Sequence, residues 1–226
     1  MKEETREKRS EKNRSKILHA AAKLFLSKGY AESTVKEISQ EAGVNLGSLT
    51  FLFKNKEAIL CELVGFVLEG QFEAATKIVE GITEDKVLFY AVETVMQLHM
   101  AESSEHMREM YSVSYSLPHS AQIIYRTITA KLEYIFKEYL PLLESKDFYE
   151  REIASGGIMR GFMTVPCDMY FTMERKVKSF LETTFLVYEV PKAKIQEAIE
   201  FVGRFDFEKI ASETIENMLK YLESKT

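Results

Sequence analysis

The sequence predicts an all-α protein: a three-helix unit containing a helix-turn-helix at the N-terminus, followed by a larger helical domain. Three observations carry this. Apolar residues recur at spacings of three and four, no stretch alternates with a period of two for long enough to make a sheet, and Pro and Gly are scarce, at 4 and 10 of 226 residues. A chain of this length can bury a real core for such helices to share.

From Ser10 to Lys28 the apolar positions Ile17, Leu18, Ala21, Leu24 and Phe25 draw one stripe on a helix, and Gly29 ends it as a C-cap. Residues 1–9, nearly all charged, are expected to form a flexible tail. After Tyr30-Ala31-Glu32, Ser33 or Thr34 caps a second helix with Val35, Ile38 and Ala42 inward, and Gly43 stops it. Asn45 caps a third, very short helix that turns Leu49 and Phe53 to one side. Lys54-Asn55-Lys56 breaks it before a fourth helix, from about Lys56 to Val79, which carries Ile59, Leu60, Leu63, Phe66 and Val67 inward and is closed by Gly81.

Proline punctuates the remainder, because it is excluded from ordinary helix interiors. Pro118, Pro141, Pro166 and Pro191 fall 23 to 25 residues apart, each interval right for one helix and its turn. Helices are expected at 84–103, 105–116, 120–139, 147–164, 174–189 and 192–223, the last broken near Phe205. The domain boundary is placed so that residues 1–60 form the first unit and 61–226 the second.

The net charge of −5 conceals a split: residues 1–60 hold 12 Lys/Arg against 8 Glu, while the remainder holds 18 basic against 27 acidic residues. A positive N-terminal unit suits a polyanionic partner. No apolar run reaches the roughly 18 residues that cross a bilayer, and the first residues are charged where a signal peptide is apolar, so a cytoplasmic protein with no membrane partner is expected. Cys61 and Cys167 fit neither a zinc spacing nor a disulfide framework and are expected as free thiols. His99 and His106, near Glu102, have no third strong ligand in register, so no metal site is expected; no cofactor motif occurs. No Gly-x-Ser-x-Gly, P-loop, dinucleotide fingerprint or His-Glu-x-x-His is present, and no enzyme is expected.

Two helices joined by a glycine turn, the second short and polar on its free face, form a helix-turn-helix whose second helix can enter the roughly 12 Å major groove. Phosphate-contact chemistry surrounds it. Thr34 lies at the start of the second helix with Lys36 on its outward face, and Asn45 caps the third. Gly47 and Ser48 are small enough to let backbone N–H groups approach DNA, while Lys54 and Lys56 flank the start of the fourth helix.

The motif TVKEISQEAGVNLGSLTFLFKNKEAIL, within residues 12–62, resembles the DNA-binding domain of the TetR/AcrR family of bacterial transcriptional regulators. The resemblance implies a homodimer whose two helix-turn-helix units bind successive major grooves of a pseudo-palindromic, double-stranded operator. It also implies a C-terminal domain that dimerises and binds a small molecule which releases DNA, with repression as the commoner mode. Position by position, it implies Thr34 and Lys36 as contacts from the second helix and Leu46, Gly47 and Ser48 as groove-facing readers. Thr50 stands where the family usually has a phosphate-binding tyrosine, and Leu52 where a second Tyr or His is common. A threonine hydroxyl can bond a phosphate but reaches less far, which shifts weight to Lys54 and Lys56. Leu46 in place of a polar reader points to a thymine methyl. These departures motivate a second reading, a helical ligand-binding or adaptor protein that has lost operator affinity.

The larger domain is rich in Met, Phe and Tyr, against which core packing is the plain reading. Buried tyrosines need hydroxyl partners, and two Ser sit within the run from Met107 to Tyr115, so an amphiphilic pocket between helices is expected there for a largely apolar effector. Its candidate lining is Phe66, Met100, Met107, Tyr111, Tyr115, Tyr125 and Phe162. Gly157 and Gly161 in ASGGIMRGFM allow close helix approach. With Phe180 and Thr184 on the helix at 174–189, they are the candidate dimer interface that a TetR-like arrangement implies. The fourth helix, joining Lys56 to the larger domain, is the expected transmission element.

Overall fold

The computed structural model describes residues 2–226, with side chains from residue 7 onward. Its eleven helices are α1 Lys2–Lys28, α2 Val35–Glu41, α3 Leu46–Leu52, α4 Lys56–Val79, α5 Lys86–Glu102, α6 Glu105–Ser114, α7 Pro118–Phe136, α8 Ser145–Thr164, α9 Met173–Val187, α10 Lys192–Val202 and α11 Phe207–Ser224. No strand occurs among the described residues. None of their helices is long and apolar enough to cross a membrane.

α1 starts at Lys2, eight residues before the predicted Ser10. Residues 2–28 contain neither Pro nor Gly and are dominated ahead of Ser15 by strong helix formers, so nothing ends the helix early. The expected tail over 1–9 is therefore helical from Lys2, and Met1 lies outside the described residues. Gly29 (φ +92°) and Gly43 (φ +61°) adopt the left-handed conformation that closes α1 and the α2–α3 turn. Ile17, Ala21, Phe25, Ile38, Leu49 and Ile59 are fully buried, so α1, α2, α3 and the first turn of α4 share one core.

α4 continues unbroken past residue 60. It packs on α1 of the N-terminal unit and on α5, α6, α7 and α11 of the larger domain. α5 is the axis of the larger domain, with nearly all of its side chains buried. Beside it, Phe136 stacks on Tyr188 at 4.0 Å and Tyr90 meets Phe136 edge-on at 5.1 Å, an aromatic core that locks α5, α7 and α9 together. Pro118 opens α7 at N1, Pro191 caps α10, and the break between α10 and α11 falls at 203–206, where Asp206 caps α11 by accepting from the Lys209 N–H at 3.1 Å.

Candidate nucleic-acid interface and internal cavity

α3 is held by its ends and by its inner face. The Asn45 Oδ1 accepts the Ser48 N–H at 2.8 Å, and Leu49 and Phe53 are buried against α1. That register turns Leu46, Gly47, Thr50 and Phe51 outward. Leu46 is 47% and Phe51 81% exposed, the latter an aromatic ring held in water on a helix of seven residues. Phe51 was not among the sequence candidates, although the inward pair 49 and 53 already placed it on the opposite face.

The hydroxyl of Thr50 donates to the carbonyls of Leu46 (3.0 Å) and Gly47 (3.1 Å), folding back on its own helix. Leu52 is half-buried and packs on the core. Thr34 is engaged in a capping box: it accepts the Glu37 N–H at 3.2 Å, and Glu37 Oε2 accepts the Thr34 N–H at 2.9 Å. Lys28, reinforced by Thr34, holds the Glu37 carboxyl down at about 2. Lys36 and Lys54 are exposed beside this surface.

Lys56 is placed otherwise than its candidacy implied. Its ammonium donates to the carbonyls of Tyr30 (2.6 Å), Ser33 (2.8 Å) and Ala31 (3.2 Å) and lies 4.3 Å from the centre of the Tyr30 ring. Its three donors are thereby consumed, so Lys56 is a brace for the α1–α2 turn and has none left for a phosphate. Burial pulls its ammonium below the ordinary lysine value, against the opposing charges of Glu109 and Glu32.

The same turn is gripped from the larger domain by α6. Glu109 accepts the N–H groups of Tyr30 (3.0 Å) and Ala31 (2.8 Å), and His106 Nδ1 lies 3.0 Å from the Leu26 carbonyl. Glycine is favoured at position 29 by its φ, and a Cβ there, 2.5 Å from Glu109 Oε2, would push that carboxylate away from the turn it holds.

A cavity of about 90 Å³ lies between α1, α4, α5, α6, α7 and α11. Phe66, Met100, Met107, Tyr111 and Tyr115 line it, as expected. Tyr125 and Phe162 do not. Tyr125 meets Tyr149 edge-on at 6.4 Å and abuts Gly156, and Phe162 packs edge-on against Phe180 at 5.8 Å, because it faces α9 near the end of α8. Sequence reasoning missed Ala22 and Leu26, which bring α1 into the wall, and the amides of Gln71 and Gln97. Gln71 Nε2 donates to the Tyr111 hydroxyl and Gln97 Nε2 to Glu93 Oε1 at 2.5 Å, leaving both Oε1 atoms buried without a partner.

Gln97 and Tyr115 also wall a second, smaller cavity that holds Glu93 and Glu152. Burial raises Glu93 to about 7 and Glu152 to about 8, the latter also repelled by Glu93. The signal for Glu93 was present in KVLFYAVETVMQLHM, a single acid in an apolar run. In the unfolded chain both carboxyls ionise above their ordinary value near 4.5, whereas the folded chain keeps Glu152 protonated to about 8. Stability therefore falls as pH rises between those values and then levels off. Glu152→Gln is expected to raise unfolding free energy by on the order of a few kcal/mol at pH 8 and to change it little at pH 4.5, as read by urea denaturation at both pH values.

Two candidate dimer residues are corrected. Phe180 and Thr184 are fully buried, facing the aromatic core because the apolar stripe of α9 closes its own domain. Gly157 and Gly161 are exposed, with no atom within 4 Å of a Cβ built on either. The close approach is made by Gly156, where a Cβ would lie 3.0 Å from Tyr125. His99 stacks on Phe207 at 5.6 Å while His106 faces Leu26, and no cluster of three or more His, Cys, Asp or Glu able to hold a metal occurs among the described residues. Cys61 and Cys167 are free and half-buried.

Comparison with known proteins places this geometry in a family. Residues 17–63 match the model for bacterial regulatory proteins of the tetR family. The chain is 23% identical over 176 residues to YttP, a probable HTH-type transcriptional regulator of Bacillus subtilis strain 168, covering 76% of this chain and 77% of that one. It is 34% identical over 73 residues to the HTH-type transcriptional regulator HbdR of Aromatoleum sp. strain CIB, 32% of each chain. Among solved structures, RolR in complex with resorcinol superposes with a TM-score of 0.65 at 14% identity, over 87% of this chain and 96% of that one. SmeT, the repressor of the Stenotrophomonas maltophilia multidrug efflux pump SmeDEF, superposes with a TM-score of 0.54 at 19% identity, over 76% and 88%. With a matching DNA-binding segment at residues 17–63 and the fold of RolR over 87% of its length, the chain is a DNA-binding transcriptional regulator and belongs to the TetR family.

Proposed function

We propose that the protein is a ligand-released repressor that binds a pseudo-palindromic operator as a homodimer. The observation that carries this reading is the wall of the 90 Å³ cavity, which is built from α1 of the DNA-binding unit together with α4, α5, α6, α7 and α11. A molecule lodged there touches both units. If it favours an arrangement in which the two copies of α3 no longer match successive grooves about 34 Å apart, operator affinity falls by the factor by which DNA weakens ligand binding. α6 carries the coupling alongside α4: Met107, Met110 and Tyr111 face the cavity, while His106 and Glu109 on the same helix hold the α1–α2 turn. The repressor SmeT and the resorcinol-bound RolR share the fold, which supports both halves of the proposal.

In the DNA complex, Leu46, Gly47 and Ser48 read the groove, with Phe51 added as an apolar contact. Lys36 and Lys54 meet phosphates, and Asn45, Thr34 and Thr50 border the surface. Lys36→Gln and Lys54→Gln are each expected to reduce the slope of log affinity against log salt by about one, measured by fluorescence anisotropy on a mixed-sequence duplex. The inward-bonded Thr50 hydroxyl favours the adaptor reading, and an affinity that is negligible at low salt would establish that reading instead.

The dimer forms through the outer faces of α8 and α9. Exposed Ile153 (46%) and Leu186 (63%) flank the smooth stripe of Ala154, Gly157 and Gly161 on α8. Open space around Gly157 means that the monomer accommodates a side chain there. Gly157→Arg is expected to turn a dimer into a folded monomer by light scattering, and an unchanged dimer would remove this interface.

A further inference from the structure

The effector cavity is apolar over nearly all of its lining, and the amides of Gln71 and Gln97 within it are what the apolar-ligand expectation does not explain. Gln71 and Gln97 are buried, line the cavity, and each leaves an amide oxygen without a partner. Beyond the shared wall of Gln97 and Tyr115 lie Glu93 and Glu152, two buried carboxyl groups. Glu152 is bonded by a hydroxyl, that of Ser155 at 2.8 Å, and not by a cation. Lys131, half-buried on α7, is the basic group whose charge acts on Glu93, and its ammonium rests 3.5 Å from the centre of the Phe72 ring at the edge of the small cavity. Two acids therefore face one resident cation, and the surrounding amide oxygens are acceptors in need of donors.

Resting on the reading of the 90 Å³ cavity as the effector site, we propose that the effector is an amphipathic cation. Its apolar body fills the space between α4, α6 and α11, and its protonated amine docks at Gln97 and the Glu93–Glu152 pair. An ammonium offers three donors and no acceptor, which matches the unpartnered amide oxygens together with two carboxyl groups that ionise as the cation docks beside them. An alcohol brings one donor with an acceptor that has little to meet. A carboxylate adds a third acid to a pair that burial already holds against ionisation. The rings of Tyr111, Tyr115 and Phe72 around the two cavities add faces on which a cation is stabilised.

The test is isothermal titration of the full-length protein with three series of straight-chain compounds, amines, alcohols and carboxylates, each from about four to twelve carbons so that body length is scanned independently of the head group. The tightest amine is expected to bind at least about tenfold more strongly than the tightest alcohol. Glu152→Gln, which is nearly isosteric, is expected to erase that preference while leaving alcohol affinity within about threefold, and Glu93→Gln to weaken it. Equal or tighter binding of an alcohol or a carboxylate would overturn the proposal, as would an amine preference intact in both variants. If that alcohol or carboxylate also dissociates the operator complex, ligand-released regulation stands and the cationic class alone fails. Absence of binding throughout the three series at millimolar concentration would overturn the ligand class and the effector-site reading together.

Discussion

Gly47→Glu is expected to abolish sequence-specific DNA binding, with a loss of at least about 100-fold, while unfolding free energy changes by less than about 1 kcal/mol. The two halves of the expectation have separate causes. A Cβ at Gly47 meets nothing closer than Asn45 Oδ1 at 3.5 Å, and glutamate is a better helix former than glycine, so α3 loses nothing. A carboxylate in the first turn also suits the helix dipole. On the DNA side the same carboxylate enters a surface that must lie against phosphates and base edges, where a like charge costs several kcal/mol. Anisotropy on a bound duplex, paired with urea denaturation, reads both. Retained affinity would remove the outer face of α3 from the interface.

Glu109→Ala is expected to separate ligand binding from DNA release. Its carboxylate supplies both bonds by which α6 holds the N–H groups of Tyr30 and Ala31, and the cavity-facing residues of α6 are untouched by the change. Ligand affinity of the free protein should stay within about twofold, whereas the ligand-induced drop in operator affinity should shrink from the tens-of-fold usual for such coupling to about twofold. The reciprocal quantity, the weakening of ligand by operator DNA, must shrink by the same factor. An unchanged coupling would assign transmission to α4 and the α1 wall at Ala22 and Leu26 instead.

Much of the fold was legible because its punctuation is local. Gly29, Gly43 and the four prolines act within their own turns, so α5 to α10 begin and end within a few residues of expectation, and the break near Phe205 separates α10 from α11. The start of α1 was misplaced because the apolar stripe that announced the helix begins only at Ile17, while a charged helix continues ahead of it without a face to bury.

The site was legible only where its residues lie in one segment. The outward face of α3 follows from Leu49 and Phe53 turning inward. Lys56 could not be read, because the carbonyls it braces lie 23 to 26 residues earlier and any surface lysine looks alike in sequence. The cavity was half-legible: the Met107–Tyr115 run gave one wall, but Gln71, Gln97 and Glu152 meet only through tertiary packing. Phe180 and Thr184 face the core of their own domain, because an apolar stripe that closes a monomer and one that meets a partner look alike in periodicity.

The most direct test of the account is selection of bound sequences from a random duplex pool by the purified protein, at two salt concentrations. The expected result is enrichment of a palindromic site with half-sites spaced to place two copies of α3 in successive major grooves, with affinity falling steeply as salt rises. Failure to enrich any sequence at either salt would contradict operator recognition by this chain.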